Sequence, residues 1–197
     1  QSFKIMTITI NGNGTVTGIS VGGLPDGIVD NDTIANTTIA SGKLASGVGA
    51  PEYTSFNAGL DADQAISTGT WTDIVFNVDS GSTYWDTGSD YNTSNGQWTV
   101  PTTGRYFYYA MLRFDALGSG KVCYIALYNG GSQIGTSMIK FHQERTGDND
   151  FEIKTAGLVS LDAGDTVTVK GYHDHGSNRN VGANNCAFGA FYLKGEE

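Results

Sequence analysis

The chain has 197 residues, 28 of them glycine, and its 11 basic and 20 acidic side chains give a formal net charge of −9. So acidic a chain is not expected to bind nucleic acid, because too few cations are present to neutralise phosphates. It contains no run of 18 apolar residues, so insertion into a membrane is not expected either. Abundant glycine without long helix-forming runs favours many short strands joined by tight turns.

The first segment, residues 6–21, has the pattern of a β-hairpin. An alternating run at residues 7–10 is followed by the turn Asn11-Gly12-Asn13-Gly14 and by a second alternating run at residues 15–19. An isolated two-stranded hairpin is marginally stable in water, so this one is expected to lean on other copies or on a docking partner. Met6 opens the segment and is our candidate for the native first residue.

Residues 24–47 place an apolar residue at every fifth position. The five positions are Leu24, Val29, Ile34, Ile39 and Leu44. Five residues turn a helix by about 500°, and an odd step in a strand alternates between its faces, so neither element puts these side chains on one side. The spacing suits identical chains running side by side, each giving one side chain per layer to a shared axis. We interpret the segment as an oligomeric stalk with Ile34, Ile39 and Leu44 between chains; the alternative is a solvated linker.

From Tyr53 onward, strand patterns recur between turn signals. The predicted strands are residues 54–58, 71–78, 97–100, 104–114, 121–129, 132–141, 151–161, 165–172 and 186–194. So many short antiparallel strands favour two packed sheets, as in a sandwich or jelly roll. Cys123 and Cys186 fall in apolar strand patterns, where buried free thiols are expected rather than a disulfide.

Two predicted strands are apolar on both faces. In residues 104–114, Tyr106 and Tyr108 alternate with Phe107 and Tyr109, and residues 186–194 show the same pattern. A sheet with one solvated face should alternate apolar and polar residues, so something covers the second face. A sister subunit is the simplest cover. Residues 122–128 are also apolar on both faces, but without an obvious partner.

Motifs along these strands match a known family in order. They are Phe56-Asn57-Ala58, residues 74–77, Tyr91-Asn92, residues 96–101, residues 104–107, residues 127–130, residues 157–167 and residues 188–193. The most specific match is Gly96-Gln97-Trp98-Thr99-Val100-Pro101 followed by Gly104-Arg105-Tyr106-Phe107. Over residues 53–194 the chain thereby resembles the complement-C1q/TNF-like trimeric jelly rolls.

This resemblance implies an all-β jelly-roll sandwich that forms a homotrimer. In that family the inner sheet faces the threefold axis, and it includes the strands that match residues 104–114 and 186–194. The expected core or subunit-interface residues are Trp98, Tyr106, Tyr108, Phe188 and Phe191.

The N-terminal part has a second resemblance. The collagen stalk usual in the C1q family is absent, since no Gly-X-Y period occurs. Instead, residues 6–50 resemble the start of bacteriophage tail-fibre and other virion-fibre proteins, through residues 11–19, residues 23–27 and the apolar pentads. This implies a virion anchor and trimerising stalk over residues 1–50, which contacts other virion proteins, and a head over residues 51–197.

No catalytic constellation is found, so the chain is not expected to be an enzyme. It has no Gly-x-Ser-x-Gly elbow and no His-Glu-x-x-His motif. No cofactor is expected, but two metal hypotheses remain open. His173 and His175 would point to one side of an extended chain, which suits a transition metal. Asp148 and Asp150 offer oxygen ligands for Ca²⁺. The alternatives are a solvated loop and an ordinary turn.

Two loops are candidates for receptor binding, because loops usually carry recognition. Tyr84 and Trp85 lie in an aromatic loop, residues 80–95, where rings beside polar groups suit a sugar or a protein contact. The alternative is that the rings fold back onto the core. Asp174, Asn178 and Arg179 lie in the other loop, after Tyr172.

These observations predict a homotrimeric virion fibre or appendage protein, assembled in the host cytoplasm. Its head is expected to bind a glycan or protein receptor on the host surface through three loop sites, or to serve as a structural tip. The alternatives are a bacterial or secreted C1q-like ligand-binding module without a virion role, and a polysaccharide-degrading fibre.

Overall fold

The computed structural model describes residues 54–194 and the backbone of residues 9–10 and 16–17. Contacts divide the chain into two units, Gln1–Pro51 and Glu52–Glu197. In the first unit, strand β1 (Thr9–Ile10) pairs antiparallel with β2 (Val16–Thr17). These two strands lie in the two halves of the hairpin predicted from the sequence.

The apolar pentads lie outside the described residues. Their predicted contacts between chains, at Ile34, Ile39 and Leu44, therefore stay a prediction.

Residues 54–194 form only strands, turns and one short 3₁₀ turn, Gly135–Ser137. The strands are β3 (Ser55–Gly59), β4 (Gln64–Ile66), β5 (Thr72–Asp73), β6 (Trp85–Asp86), β7 (Tyr91–Asn92), β8 (Gln97–Thr99), β9 (Gly104–Leu117), β10 (Val122–Asn129), β11 (Ser132–Gln133), β12 (Ile139–His142), β13 (Asn149–Leu161), β14 (Thr166–His173), β15 (Arg179–Val181) and β16 (Ala187–Lys194).

These strands make two antiparallel sheets. The β9 sheet runs β4-β15-β9-β16-β3-β6, with β13 paired to β9 along nearly its whole length. The β14 sheet runs β11-β10-β14-β8-β7, with β12 on β10 and β5 on β14. Chain neighbours thus often lie in different sheets, as in a jelly roll.

The core lies between the two sheets and is rich in aromatic rings. Along β9 and β14 every second residue is buried, as expected for strands with one face toward a core. Phe56 lies at its centre, with its ring centroid 5.0 Å from that of Tyr91, 5.3 Å from Trp98 and 4.9 Å from Phe188. Offset and edge-to-face ring pairs of this kind stabilise a core beyond the area they bury.

The predicted strand at residues 71–78 is wrong beyond its first residues. Only Thr72–Asp73 pairs as a strand, although Ile74 and Phe76 are fully buried. The Gln64 side chain takes the place of a neighbouring strand here. Its amide nitrogen donates to the Asp73 carbonyl at 2.8 Å, and its amide oxygen accepts from the Val75 N–H at 2.8 Å.

The predicted strand at residues 132–141 is interrupted by the 3₁₀ turn. Ser137 is fully buried there, and its hydroxyl accepts from the Leu127 N–H at 3.0 Å and donates to the Ile134 carbonyl at 2.7 Å. One hydroxyl thereby satisfies backbone groups that a continuous ladder would have paired.

Close packing on the outward face of the β9 sheet requires glycine at two positions. A Cβ on Gly189 would lie 2.6 Å from the Tyr109 ring and 2.7 Å from the Phe56 carbonyl oxygen. A Cβ on Gly59 would overlap the ring of Tyr84. Both aromatic rings therefore lie directly on the sheet backbone.

Candidate functional site

The outward face of the β9 sheet carries a row of apolar side chains across three strands. Phe107 on β9 is paired with Leu158 on β13 and with Phe191 on β16. Leu158 is 70% exposed and Phe191 is 42% exposed, and the Phe107 and Phe191 rings lie 5.1 Å apart. We call this row and its outward-facing neighbours the apolar face: Phe107, Tyr109, Met111, Leu158, Phe191 and Leu193.

The apolar face has a charged border at one end. Next to Met111, Lys154 lies 3.2 Å from Glu152, and Arg113 donates to Asp115 at 2.9 Å. Burial raises the pKa of the Tyr109 phenol, and nearby Tyr84 raises it further, so this ring stays neutral. An apolar centre with a polar rim is the anatomy of a protein–protein interface.

Tyr84 and Trp85 lie at the edge of this same sheet. The Tyr84 ring rests on Gly59, and β6, which contains Trp85, pairs with β3. Trp85 is 44% exposed, while its indole N–H donates to the Ser55 hydroxyl at 3.1 Å. The structure thus places Tyr84 and Trp85 of the predicted recognition loop on the same sheet as the apolar face.

The predicted core residues separate into two groups. Trp98, Tyr106, Tyr108 and Phe188 are buried inside the single chain, each no more than 3% exposed. Phe191 points the other way and belongs to the apolar face.

His173 is not placed to bind a metal. It is fully buried, its Nε2 lies 3.2 Å from the Ile66 carbonyl oxygen, and its Nδ1 accepts from the His175 N–H at 3.2 Å. Burial lowers the pKa of the imidazole, which favours the neutral form. The hypothesis that His173 and His175 together bind a transition metal is therefore corrected, because the His173 side chain lies in the core with both ring nitrogens against backbone groups.

The two aspartates of the calcium hypothesis accept hydrogen bonds from other residues of the chain. Asp148 accepts from the Arg179 guanidinium at 3.4 Å, and Asp150 accepts from the Ala116 N–H at 2.9 Å. Across residues 54–194, no group of three or more His, Cys, Asp and Glu side chains is arranged to hold a metal ion.

The second recognition loop is held by its own polar residues. Arg179 donates to the Ala116 carbonyl at 2.8 Å and also contacts the His175 imidazole. Asp174 accepts from the Val122 N–H at 2.7 Å, whereas Asn178 is exposed. Arg179 therefore joins two loops, and Asn178 is the residue of this set that remains most accessible.

Sequence reasoning missed an aromatic cluster on the outward face of the β14 sheet. The Trp71 ring lies 5.8 Å from Tyr124, 5.9 Å from Tyr128 and 5.5 Å from Tyr172. Ala126, which lies on β10 between Tyr124 and Tyr128 on the same face, is fully buried. The cluster explains why residues 122–128 are apolar on both faces. That pattern was the signal in the sequence from which the aromatic cluster could have been predicted.

Comparison with known proteins gives the family. The C1q domain matches residues 55–193. The chain belongs to the C1q family. C1q/TNF-like domains are commonly trimeric ligand-binding modules and are generally not enzymes.

Two solved structures, with TM-scores of 0.50 and 0.52, show the same fold, and a third is similar at a lower score. Eiger TNF from S. frugiperda is 13% identical, covering 74% of this chain and 94% of that chain, with a TM-score of 0.50. Murine APRIL is 13% identical, covering 72% and 100%, with a TM-score of 0.52. The globular domain of zebrafish complement 1qA protein is 12% identical, covering 73% and 99%, with a TM-score of 0.48. No curated protein sequence matches the chain.

The all-β C1q/TNF-like jelly roll predicted from the sequence is thereby confirmed. The virion-fibre resemblance of the first 50 residues stays a prediction. None of the described helical segments is long and apolar enough to span a membrane.

Proposed function

We propose that this chain is the subunit of a homotrimeric virion fibre whose C1q head binds a receptor on the host surface. The observation that carries the trimer is the row formed by Leu158, Phe107 and Phe191. These side chains lie on adjacent strands at the centre of a sheet face, where a solvated sheet should carry polar residues.

A second copy is a suitable cover for this face. A cyclic trimer can bring three copies of one sheet face around a single axis, so the most exposed apolar side chains become the best buried. The charged border around Glu152 and Lys154 would remain near solvent at the rim.

The virion role is supported by the sequence of the first 50 residues. Their five-residue apolar period suits a parallel stalk of several chains, and their hairpin motif resembles virion-fibre proteins. A trimeric stalk and a trimeric head would share one axis, and the three heads would engage a surface together through avidity. The other candidate is a C1q-like ligand-binding module without a virion role, and this is the part that the match to the C1q domain supports.

Two experiments test these proposals separately. Sedimentation equilibrium of the full chain should give about 62 kDa, three times the chain mass of 20.8 kDa. A folded monomer at micromolar concentration would refute the trimer. Antibody against the head should label purified virus particles in electron micrographs. Unlabelled particles and a gene far from capsid and tail genes would refute the virion role but leave the trimer in place.

A further inference from the structure

The aromatic cluster on the β14 sheet borders a pocket. It is lined by Trp71, Val122, Tyr124, Tyr172 and Asp174, is open to solvent and has a volume of about 500 Å³. This pocket, which we call the aromatic basin, lies on the opposite sheet from the apolar face. Its volume falls in the range of small-ligand sites, which combine aromatic walls with a few polar groups.

We propose that the aromatic basin binds a neutral pyranose saccharide. This deepens the proposed function by naming the receptor chemistry and its site, and it depends on that function only in treating the head as a ligand-binding module. A pyranose has an apolar C–H face and a rim of hydroxyl groups. The aromatic rings of the basin suit the first, and its oxygen atoms suit the second.

The polar atoms of the basin are available for sugar hydroxyls. Asp174, which lines the pocket, uses its Oδ1 to accept from the Val122 N–H at 2.7 Å, and its carboxylate can accept further hydrogen bonds. Within residues 54–194, the phenolic hydroxyls of Tyr124 and Tyr172 make no hydrogen bond to another residue. A ligand with several donors and acceptors would pair groups that the protein itself leaves to water.

The rings are held in place by the sheet. Tyr124 and Tyr172 are directly opposite each other on β10 and β14, with their ring centroids 5.5 Å apart at 80°. Trp71 packs against both from the turn before β5. A wall whose rotamers are fixed in this way loses little conformational entropy when it binds a ligand.

A cationic ligand is the main alternative for an aromatic pocket with a carboxylate. One ammonium group already lies over a ring of the basin, since Lys140 is 5.6 Å from the Tyr124 ring. A further cation would be repelled by Lys140 and would leave the hydroxyl groups without partners. An acidic saccharide is disfavoured by Asp174 in the wall and by the net charge of −9.

The test begins with methyl glycosides of glucose, galactose, mannose and N-acetylglucosamine, titrated into the full chain. We expect saturation-transfer NMR to show at least one binding with a Kd of about 1–10 mM, which is ordinary for a single weak site. If none of the four binds at these concentrations, the proposal is overturned. If tetramethylammonium binds instead and competes with no sugar, the basin is a cation site and the proposal is also wrong.

Matched substitutions locate the site. Trp71→Leu keeps apolar bulk but removes the π face, and it should weaken binding about tenfold or more. Met138→Ala changes an exposed apolar side chain that does not line the basin, and it should leave the Kd within about twofold. If both variants lose the same affinity for the saccharide, or if Trp71→Leu loses none, the saccharide does not bind in the aromatic basin.

Two milder variants keep the test decisive if Trp71→Leu does not fold. Asp174→Asn preserves the acceptor for Val122, and Tyr172→Phe preserves the ring while removing its hydroxyl. Each should weaken saccharide binding about threefold to tenfold, because one hydrogen bond to the ligand is altered. Unchanged Kd values for both would refute the assigned polar contacts. Neither result depends on oligomeric state, so a failed trimer and a failed sugar site are distinguishable.

Discussion

Replacing Leu158 by serine should weaken association between subunits far more than it weakens the fold. Leu158 is 70% exposed in the single chain, so the substitution leaves the core intact. Complete burial of a leucine side chain contributes about 1.5–3 kcal/mol, so covering its exposed part contributes about 1–2 kcal/mol per subunit. Three copies in a trimer give about 3–6 kcal/mol, which corresponds to a trimerisation constant lower by about 10²–10⁴.

Sedimentation equilibrium of the full chain over a range of concentrations measures this change. Ile139→Ser is the matched control, because Ile139 is 40% exposed on the β14 sheet, away from the apolar face. Any contribution of residues 1–50 is common to all variants, so the difference between the two substitutions reports the head alone. If both variants associate as tightly as the unmodified chain, the apolar face is not the subunit interface.

Three further predictions concern the fold. Cys123 and Cys186 should react with Ellman's reagent at pH 8 only after the protein unfolds. Burial raises the pKa of the Cys123 thiol to about 12 and that of the Cys186 thiol to about 11, so neither is a reactive thiolate in the folded protein. Rapid labelling of the folded protein would contradict this prediction. Gly189→Ala should lower the free energy of unfolding by about 1–3 kcal/mol in urea denaturation, whereas Gly135→Ala, with open space around its Cβ, should change it by less than about 0.5 kcal/mol. Burial lowers the pKa of His173 in the folded state, so the unfolded chain binds the extra proton and stability falls as pH drops below about 6.5. His173→Gln should remove that loss in urea titrations at about pH 7.5 and 5.5, and an unchanged pH dependence would show that other groups cause it.

Much of the head could be predicted from local pattern. The alternation in residues 104–114 reports a period of two, and a strand with that period must place Tyr106 and Tyr108 on one face and Phe107 and Tyr109 on the other. The structure buries the first pair between the sheets and leaves the second pair on the outward face. Glycine and turn residues then indicated where most strands end.

The errors arise where a side chain replaces backbone pairing. Gln64 bonds to the backbone of Asp73 and Val75, and Ser137 bonds to that of Leu127. Hydrogen bonds of this kind leave no periodic signal in the sequence, because each depends on which loop comes to lie beside which strand. The same limit hid β4 and β15, whose short pairing to each other gives no extended alternation.

The sequence by itself determined the all-β class, the alternation of faces and the C1q family, because these follow from spacing and motif order along one chain. Only the tertiary structure decided which way a face points. The two-residue period puts His173 on the same face as Val167 and Val169, but only the stacking of the two sheets makes that face the core and brings the His173 imidazole against the Ile66 carbonyl. Packing likewise brought Trp71 onto Tyr124 and Tyr172, which are remote in sequence. Contacts between distant strands depend on how sheets stack, and no local pattern encodes that.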